Sequence, residues 1–156
     1  MSELNNSNDS MLISDGIQLC GFRVDNDYYA ISVLEVQEVI RQQNLTKIPC
    51  APRFIKGLIN LRGQIVTAFS LRTLFGLPEQ NSDNYMNIIV RSGDSLYALM
   101  VDEILDVMDI SKSRFEKTPE NLDEKVRQYI SGVYKLDGKL LSTLDLEKLL
   151  TQEFNI

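Results

Sequence analysis

The second half of this chain of 156 residues repeats the order of apolar residues found in the first half. At an offset of 68 residues, Tyr29-Ala30-Ile31 matches Tyr97-Ala98-Leu99. At an offset of 75 residues, segment 54–75 matches segment 129–150, so the connector between about 108 and 128 is longer in the second copy. Because two copies of one pattern predict two similar structural units, this duplication constrains the fold more strongly than any single motif.

Both copies consist of short runs of apolar and β-branched residues separated by turn residues. Segments 17–24 and 28–33 flank Asp25-Asn26-Asp27, and segments 58–61 and 64–69 meet at Arg62-Gly63, so each pair predicts a β-hairpin. Short strands at regular spacing are typical of small barrels or sandwiches. The sequence therefore predicts a mainly β fold of two units with about five strands each.

Short helices are predicted between the strands and at the C-terminal end. Ser70 is placed to cap a helix that stops at Gly76. The spacing of the valines in segment 33–40 predicts one or two helical turns. In the longer connector, Thr118-Pro119 is a candidate for the start of another small helix.

The duplication also predicts how the chain is divided. Residues 1–15 are rich in Asn, Ser and Asp and predict a flexible tail, residues 16–84 the first subdomain, and residues 85–156 the second. Units of this size have marginal cores, so we expect the two subdomains to pack along a shared apolar seam that also forms a groove. The repeat leaves open which unit each strand completes, and the first hairpin is a candidate for exchange.

The composition disfavours several classes of function. A formal net charge of −6 disfavours nucleic acid and anionic membrane as partners, since both require a basic protein surface. The sequence contains no histidine, which removes the commonest general base and metal ligand, and it has no phosphate-binding loop or nucleophile motif. We therefore expect a protein without catalytic residues, metal or cofactor.

The sequence predicts a cytoplasmic location. No apolar run approaches the length of a membrane-spanning helix, and the N-terminal segment lacks the basic and apolar regions of a signal peptide. In that compartment, Cys20 and Cys50 are expected to be free thiols that serve as small core residues.

Positions at which the copies differ indicate where one copy has a separate role. Arg62 stands at the turn position that Asp137 occupies in the second copy, where Asp-Gly is the usual turn chemistry. Arg62 is therefore either a solvated or carboxylate-paired turn residue, or a bidentate donor for an acidic group of a partner. Glu38 aligns with Asp106, and for it we weigh a structural role against a contact at the rim of a binding surface.

The remaining charged positions predict solvated faces. Arg72 aligns with Glu147, and this inversion of charge indicates an exposed helix face. One short segment that we expect to be helical contains three carboxylates, Asp102, Glu103 and Asp106. They indicate a solvated acidic face rather than a calcium site or an acidic catalytic centre.

Four segments resemble the CheW family of bacterial chemotaxis coupling proteins. They are YAISVLEVQEVI, TKIPCAPRFIKGLINLRGQIV, LRTLFGL and ISGVYKLDGKLLSTLDLEKLL, and the resemblance covers about residues 17–150. It implies two small SH3-like, five-stranded β-barrels around a shared groove, without catalysis. It also implies a scaffold that joins the histidine kinase CheA, through its regulatory domain, to the cytoplasmic tips of chemoreceptors in arrays.

The resemblance further implies a receptor-facing groove. Its apolar wall would comprise Val33, Val36, Ile59, Leu61 and Val101, and its polar contacts Glu38, Asn60 and Arg62. A receptor tip is expected to dock there as an amphipathic helix laid into an apolar groove. The kinase-facing surfaces are not assigned to residues.

Other functions stay open at this point. Thr67 and Ser70 stand where the family usually has Pro and Asp, so a divergent CheW-like regulatory module of another kinase-based sensory system is one alternative. A module that binds the kinase but not the receptor is a second. A β-barrel that binds a small ligand, or an enzyme built on such a barrel, is a third.

Overall fold

The structure, a computed structural model, describes residues 16–79 and 84–151, and the predicted tail lies outside them. The strands are β1 (Gly16–Val24), β2 (Asp27–Ser32), β3 (Val36–Arg41), β4 (Ile55–Leu61), β5 (Gln64–Ser70), β6 (Met86–Ser92), β7 (Ser95–Val101), β8 (Glu103–Ser111), β9 (Phe115–Glu116), β10 (Ile130–Leu136) and β11 (Lys139–Leu144). The α-helices are α1 (Leu71–Leu74), α2 (Glu124–Arg127) and α3 (Leu146–Thr151), and short 3-10 turns cover Val33–Glu35 and Lys112–Arg114. The mainly β prediction is confirmed.

The strands form two sheets, and each sheet combines strands from both halves of the chain. The first sheet has the order β8-β1-β2-β11-β10-β9, and the second has the order β3-β6-β7-β5-β4. The hairpin β1–β2 therefore lies beside strands of the second copy, and the hairpin β6–β7 lies beside strands of the first. The division of the chain near residue 84 stays a prediction.

The strand registers confirm the duplication residue by residue. In the second sheet, Val66 of β5 pairs in parallel with Leu96 of β7, and in the first sheet Leu141 of β11 pairs in parallel with Tyr28 of β2. These two pairings are related by the same offsets of 75 and 68 residues that relate the two halves of the sequence. The pairings of β3 with β6 and of β8 with β1 correspond in the same way and carry a bulge at the same place.

The apolar side chains form one central cluster between the sheets and a smaller cluster on the other face of each sheet. Along β7, Tyr97 and Leu99 belong to the central cluster, whereas Leu96 and Ala98 belong to the cluster of the second sheet, as the period of two in a strand requires. The central cluster, here called the seam, includes Phe22 and Tyr29 of the first sheet together with side chains of β5, β6 and β7. The predicted shared seam is present.

Several local predictions differ from the structure. The valines of segment 33–40 form only the 3-10 turn Val33–Glu35, and then β3, because pairing with β6 outweighs a short helical spacing. The segment with Asp102, Glu103 and Asp106 enters strand β8 rather than a helix. The connector helix starts after its capping residue Asp123, not at Thr118-Pro119.

Closed barrels are not evident from the hydrogen bonds of the described residues. Each sheet has two outer strands, β8 and β9 in the first and β3 and β4 in the second, and the first sheet has six strands instead of five. The second sheet is nevertheless curled, because Ile40 of β3 packs against the same cluster as Ile59 and Leu61 of β4. Closure into SH3-like barrels stays a prediction.

The two cysteines occupy different environments. Both are free thiols; Cys20 is buried in β1, but Cys50 is exposed and has a positive φ of 63°. The expectation that both serve as core residues is therefore wrong for Cys50.

Candidate functional site

The turn between β4 and β5 is held in an unusual backbone conformation. Arg62 has a φ of 52° and Gly63 a φ of 87°, so both central residues of this two-residue hairpin lie in the left-handed region. A residue with a Cβ adopts this conformation at a cost of about 1–2 kcal/mol. The side-chain oxygen of Asn60 accepts a hydrogen bond of 2.9 Å from the Gly63 N–H and stabilises the turn. In the second copy Asp137 does not have a positive φ, although Gly138 does.

Arg62 forms an ion pair across the edges of the second sheet. Its guanidinium donates to the Glu38 carboxylate, which belongs to β3. Arg62 follows β4, and β3 and β4 are the two outer strands of this sheet, so the pair joins them. The Arg62 side chain remains 68% exposed. The corresponding residues of the second copy, Asp106 and Asp137, are both acidic and cannot form such a pair.

The eight residues implied by the resemblance do not all lie at the surface. Glu38, Asn60 and Arg62 come together around the turn, as just described. Val33 and Val36 are partly buried against the seam, next to the crossing from the first to the second sheet. Val101 is buried within the seam, and Ile59 and Leu61 are buried in the cluster of the second sheet.

The burial of Ile59 has a direct physical reason. Ile59 pairs with Val66, and its side chain points to the interior of the curled sheet, while the next residue, Asn60, points outward. The difference between Ile59 and Tyr134 in the two copies is therefore a difference between core residues, because Tyr134 is buried as well.

The 3-10 turn Val33–Glu35 is closed by a capping box. The Ser32 hydroxyl accepts from the Leu34 N–H, and the Glu35 carboxylate accepts from the Ser32 N–H. Partial burial raises the pKa of Glu35, a shift that the Ser32 hydrogen bond opposes and the charge of Asp145 reinforces. Leu34, at the middle of this turn, is 95% exposed.

A second cluster of charges was missed by the sequence reasoning. The Arg72 side chain is 12% exposed and pairs with Asp102 and Asp25, so the predicted solvated helix face is wrong. The Asp102 side chain is 6% exposed, whereas its neighbour Glu103 is exposed as predicted. The alignment of Arg72 with a residue of opposite charge was the available signal, but the sequence does not show that Asp25 and Asp102 lie beside it.

The described residues contain no cluster of three or more potential metal ligands. A cavity of about 540 Å³ is lined by residues that include Lys56, Arg72, Glu79 and Asp102. Lys56 already pairs with Glu79, and Arg72 with Asp102, so these four charges are satisfied by one another. Within the described ranges, no helix has the length and apolar character needed to cross a membrane.

The fold and the site together define a class: a duplicated β protein of two sheets with reciprocally exchanged hairpins and a surface ion pair at one turn. A family model described as CheW-like domain matches residues 18–154. The chain therefore belongs to the CheW-like family.

The chain is similar over most of its length to proteins named chemotaxis protein CheW. It is 33% identical over 133 residues to the chemotaxis protein CheW of Klebsiella aerogenes, covering 85% of this chain and 80% of that protein. It is 32% identical over 142 residues to the chemotaxis protein CheW of Bacillus subtilis, covering 90% and 91%. The crystal structure of the scaffolding protein TtCheW from Thermoanaerobacter tengcongensis is similar, with a TM-score of 0.75, 28% identity and coverage of 83% of this chain and 88% of that one.

Proposed function

We propose that this protein is a non-catalytic scaffold that couples chemoreceptors to the histidine kinase CheA in bacterial chemotaxis. The observation that carries the proposal is the match to the CheW-like domain over residues 18–154. The similarity to chemotaxis proteins over more than four fifths of the chain supports the same role. The protein acts in the cytoplasm and is recruited to membrane-associated receptor arrays through its partners.

The receptor-binding surface is centred on the Arg62 turn. A guanidinium has five N–H donors, and Arg62 directs one nitrogen to Glu38 while most of its side chain stays exposed. The remaining donors are available to an acidic or carbonyl group of a receptor helix. Glu38 orients the guanidinium, and Asn60 fixes the turn that presents it.

The apolar members of the predicted groove contribute in two ways. Val33 and Val36 are partly exposed and contact the apolar face of the docked helix directly. Ile59, Leu61 and Val101 are buried, so they support this surface from beneath and do not form its outer wall in the conformation described here. The kinase binds to surfaces that we leave unassigned.

Separate titrations of the two partners test this function. We expect the protein to bind a soluble receptor-tip hairpin and the isolated regulatory domain of CheA, each with a saturable isotherm in calorimetry. Binding to the kinase domain without binding to any receptor tip would favour a free-standing regulatory module instead. Binding to neither would contradict the coupling role.

A further inference from the structure

Within residues 16–79 and 84–151, the chain crosses between the two sheets at two positions that are related by the duplication. The first crossing is the 3-10 turn Val33–Glu35 between β2 and β3, and the second is the single residue Asp102 between β7 and β8. At the offset of 68 residues, the middle residue of the first crossing, Leu34, corresponds to Asp102. Leu34 is 95% exposed, whereas the Asp102 side chain is 6% exposed. The two crossings thus have opposite environments.

Asp102 is bonded to three elements at once. Its backbone N–H donates to the Arg23 carbonyl at 2.9 Å, and its carboxylate accepts from the Asp25 N–H at 2.6 Å, so it is fixed to β1 and the β1–β2 turn of the first sheet. The same carboxylate accepts from Arg72 Nε at 3.2 Å, which fixes it to α1 beside the second sheet.

Arg72 completes the connection. Its three guanidinium nitrogens donate to the Asp102 carboxylate, to the Asp25 carboxylate at 3.0 Å and to the Pro78 carbonyl at 2.8 Å. Arg72 and Asp102 are largely buried, and each charge has its partners, which is the condition under which such a network orders its surroundings.

The corresponding positions of the other crossing have no such network. At the offsets of 68 and 75 residues, the counterparts of Asp25, Asp102 and Arg72 are Gly93, Leu34 and Glu147. Asp25 and Gly93 share a positive φ, 58° and 61°, so the backbone is the same and only the side chains differ. The Val33–Glu35 turn is held by the local capping box of Ser32 and Glu35.

We infer that Asp102 and Arg72 are positioning residues that fix the angle between the two sheets at one crossing. Changes in this angle are then confined to the Val33–Glu35 crossing. Val33 begins that crossing and Val36 follows it directly, so the network controls the receptor surface without contacting a partner. This consequence for binding rests on the proposed function, whereas the effect on the angle between the sheets does not.

A distance measurement between the sheets tests the inference. In a Cys50→Ser background, nitroxide labels are attached at Ile65→Cys in the second sheet and Leu140→Cys in the first, two exposed positions related by the duplication. Double electron–electron resonance on the labelled parent chain is expected to give one narrow distance distribution. Asp102→Asn and Arg72→Met are each expected to broaden or shift it, and the double variant is expected to add little to either single variant, because both remove one network.

The duplication supplies the control. Glu147→Met changes the counterpart of Arg72 at an exposed position and is expected to leave the distribution unchanged. If Asp102→Asn does not fold, Asp25→Asn serves instead, because asparagine tolerates the positive φ of this turn. Folded Arg72→Met and Asp25→Asn variants whose distributions coincide with that of the parent would overturn the inference.

Binding supplies an independent second measurement. For a soluble receptor-tip hairpin, Asp102→Asn is expected to weaken binding by about 2- to 30-fold, the range for residues that act on a site indirectly, and Glu147→Met to leave it unchanged. If the parent chain binds no receptor tip, the proposed function fails, yet the distance distributions still decide the inference. Broadened distributions with unchanged affinity in Asp102→Asn would contradict the control of the receptor surface by the network.

Discussion

At the scale of single residues, Arg62 combines a conformational cost with an exposed charge. Its positive φ is unfavourable for a residue other than glycine. Its ion pair with Glu38 joins a largely exposed arginine to a partly exposed carboxylate, so the pair contributes little to stability. A residue retained under such strain is a candidate for function, and here the strained residue presents a guanidinium to solvent.

Arg62→Asp is therefore expected to separate binding from folding. Aspartate is among the residues that tolerate a positive φ, and the lost ion pair contributes little, so the free energy of unfolding measured by urea denaturation should change by at most about 1 kcal/mol. Affinity for a receptor-tip hairpin should fall by about 1–3 kcal/mol, because a charged hydrogen bond is lost. Asp137→Arg is the matched control and should leave the affinity unchanged. Equal affinities of Arg62→Asp and the unmodified chain would remove Arg62 from the binding surface.

The sequence revealed Arg62 but not Arg72, and the reason is distance along the chain. Arg62 could be identified as unusual from the sequence, because comparing the matched turns of the two copies needs only residues that are adjacent in the chain. The partners of Arg72 lie 47 and 30 residues away, at Asp25 and Asp102, and their proximity depends on how the two sheets pack. The inversion of charge between Arg72 and Glu147 therefore predicted a solvated helix face, whereas Arg72 belongs to a largely buried network of charges.

At the scale of elements, each copy places a glycine where a neighbouring segment pairs alongside a strand: Thr46 bridges to β4 in the first copy, and β9 pairs with β10 in the second. A Cβ at Gly57 of β4 would lie 2.6 Å from the Thr46 carbonyl oxygen, and a Cβ at Gly132 of β10 would collide with the Phe115 ring. The two glycines correspond at the offset of 75 residues. The obstacle is backbone in the first copy and a side chain in the second.

This difference predicts which substitution can be rescued. Gly132→Ala is expected to destabilise the protein by about 1–3 kcal/mol in urea denaturation through overpacking, and adding Phe115→Ala is expected to recover most of that loss. Gly57→Ala is expected to resist rescue by Thr46→Ala, because the obstructing atom belongs to the main chain. If the effects of Gly132→Ala and Phe115→Ala on stability simply add, the contact between the Phe115 ring and Gly132 is not as described.

The sequence predicted secondary-structure elements correctly where the turn residues and the pattern of apolar residues indicated the same structure. Both hairpins of the first copy and the Ser70 cap of α1 were predicted, and the Ser70 hydroxyl does accept from the Thr73 N–H at 3.2 Å. The 33–40 segment was predicted as helical, because three valines at helical spacing do not reveal that β6 lies alongside. The segment forms strand β3 because it pairs with β6, which is far away in the sequence.

At the scale of the whole molecule, the duplication predicted the presence of two units but not their composition. Each sheet contains the exchanged hairpin of the other copy, so the seam is formed by strands that belong to both halves. The sequence left this exchange open, because an internal repeat gives the order of strands and not their partners. The exchange couples the two sheets, which suits a scaffold that presents several surfaces in a fixed arrangement.

Co-sedimentation measures directly whether the protein couples receptor to kinase. Membrane vesicles that carry a chemoreceptor are mixed with CheA in the presence and absence of this protein and then pelleted. We expect CheA to pellet with the receptor vesicles in amounts that rise with added protein and saturate, and Arg62→Asp to reduce this recruitment while Asp137→Arg does not. Recovery of CheA that is the same with and without the protein, although the protein itself binds both partners, would contradict the coupling role.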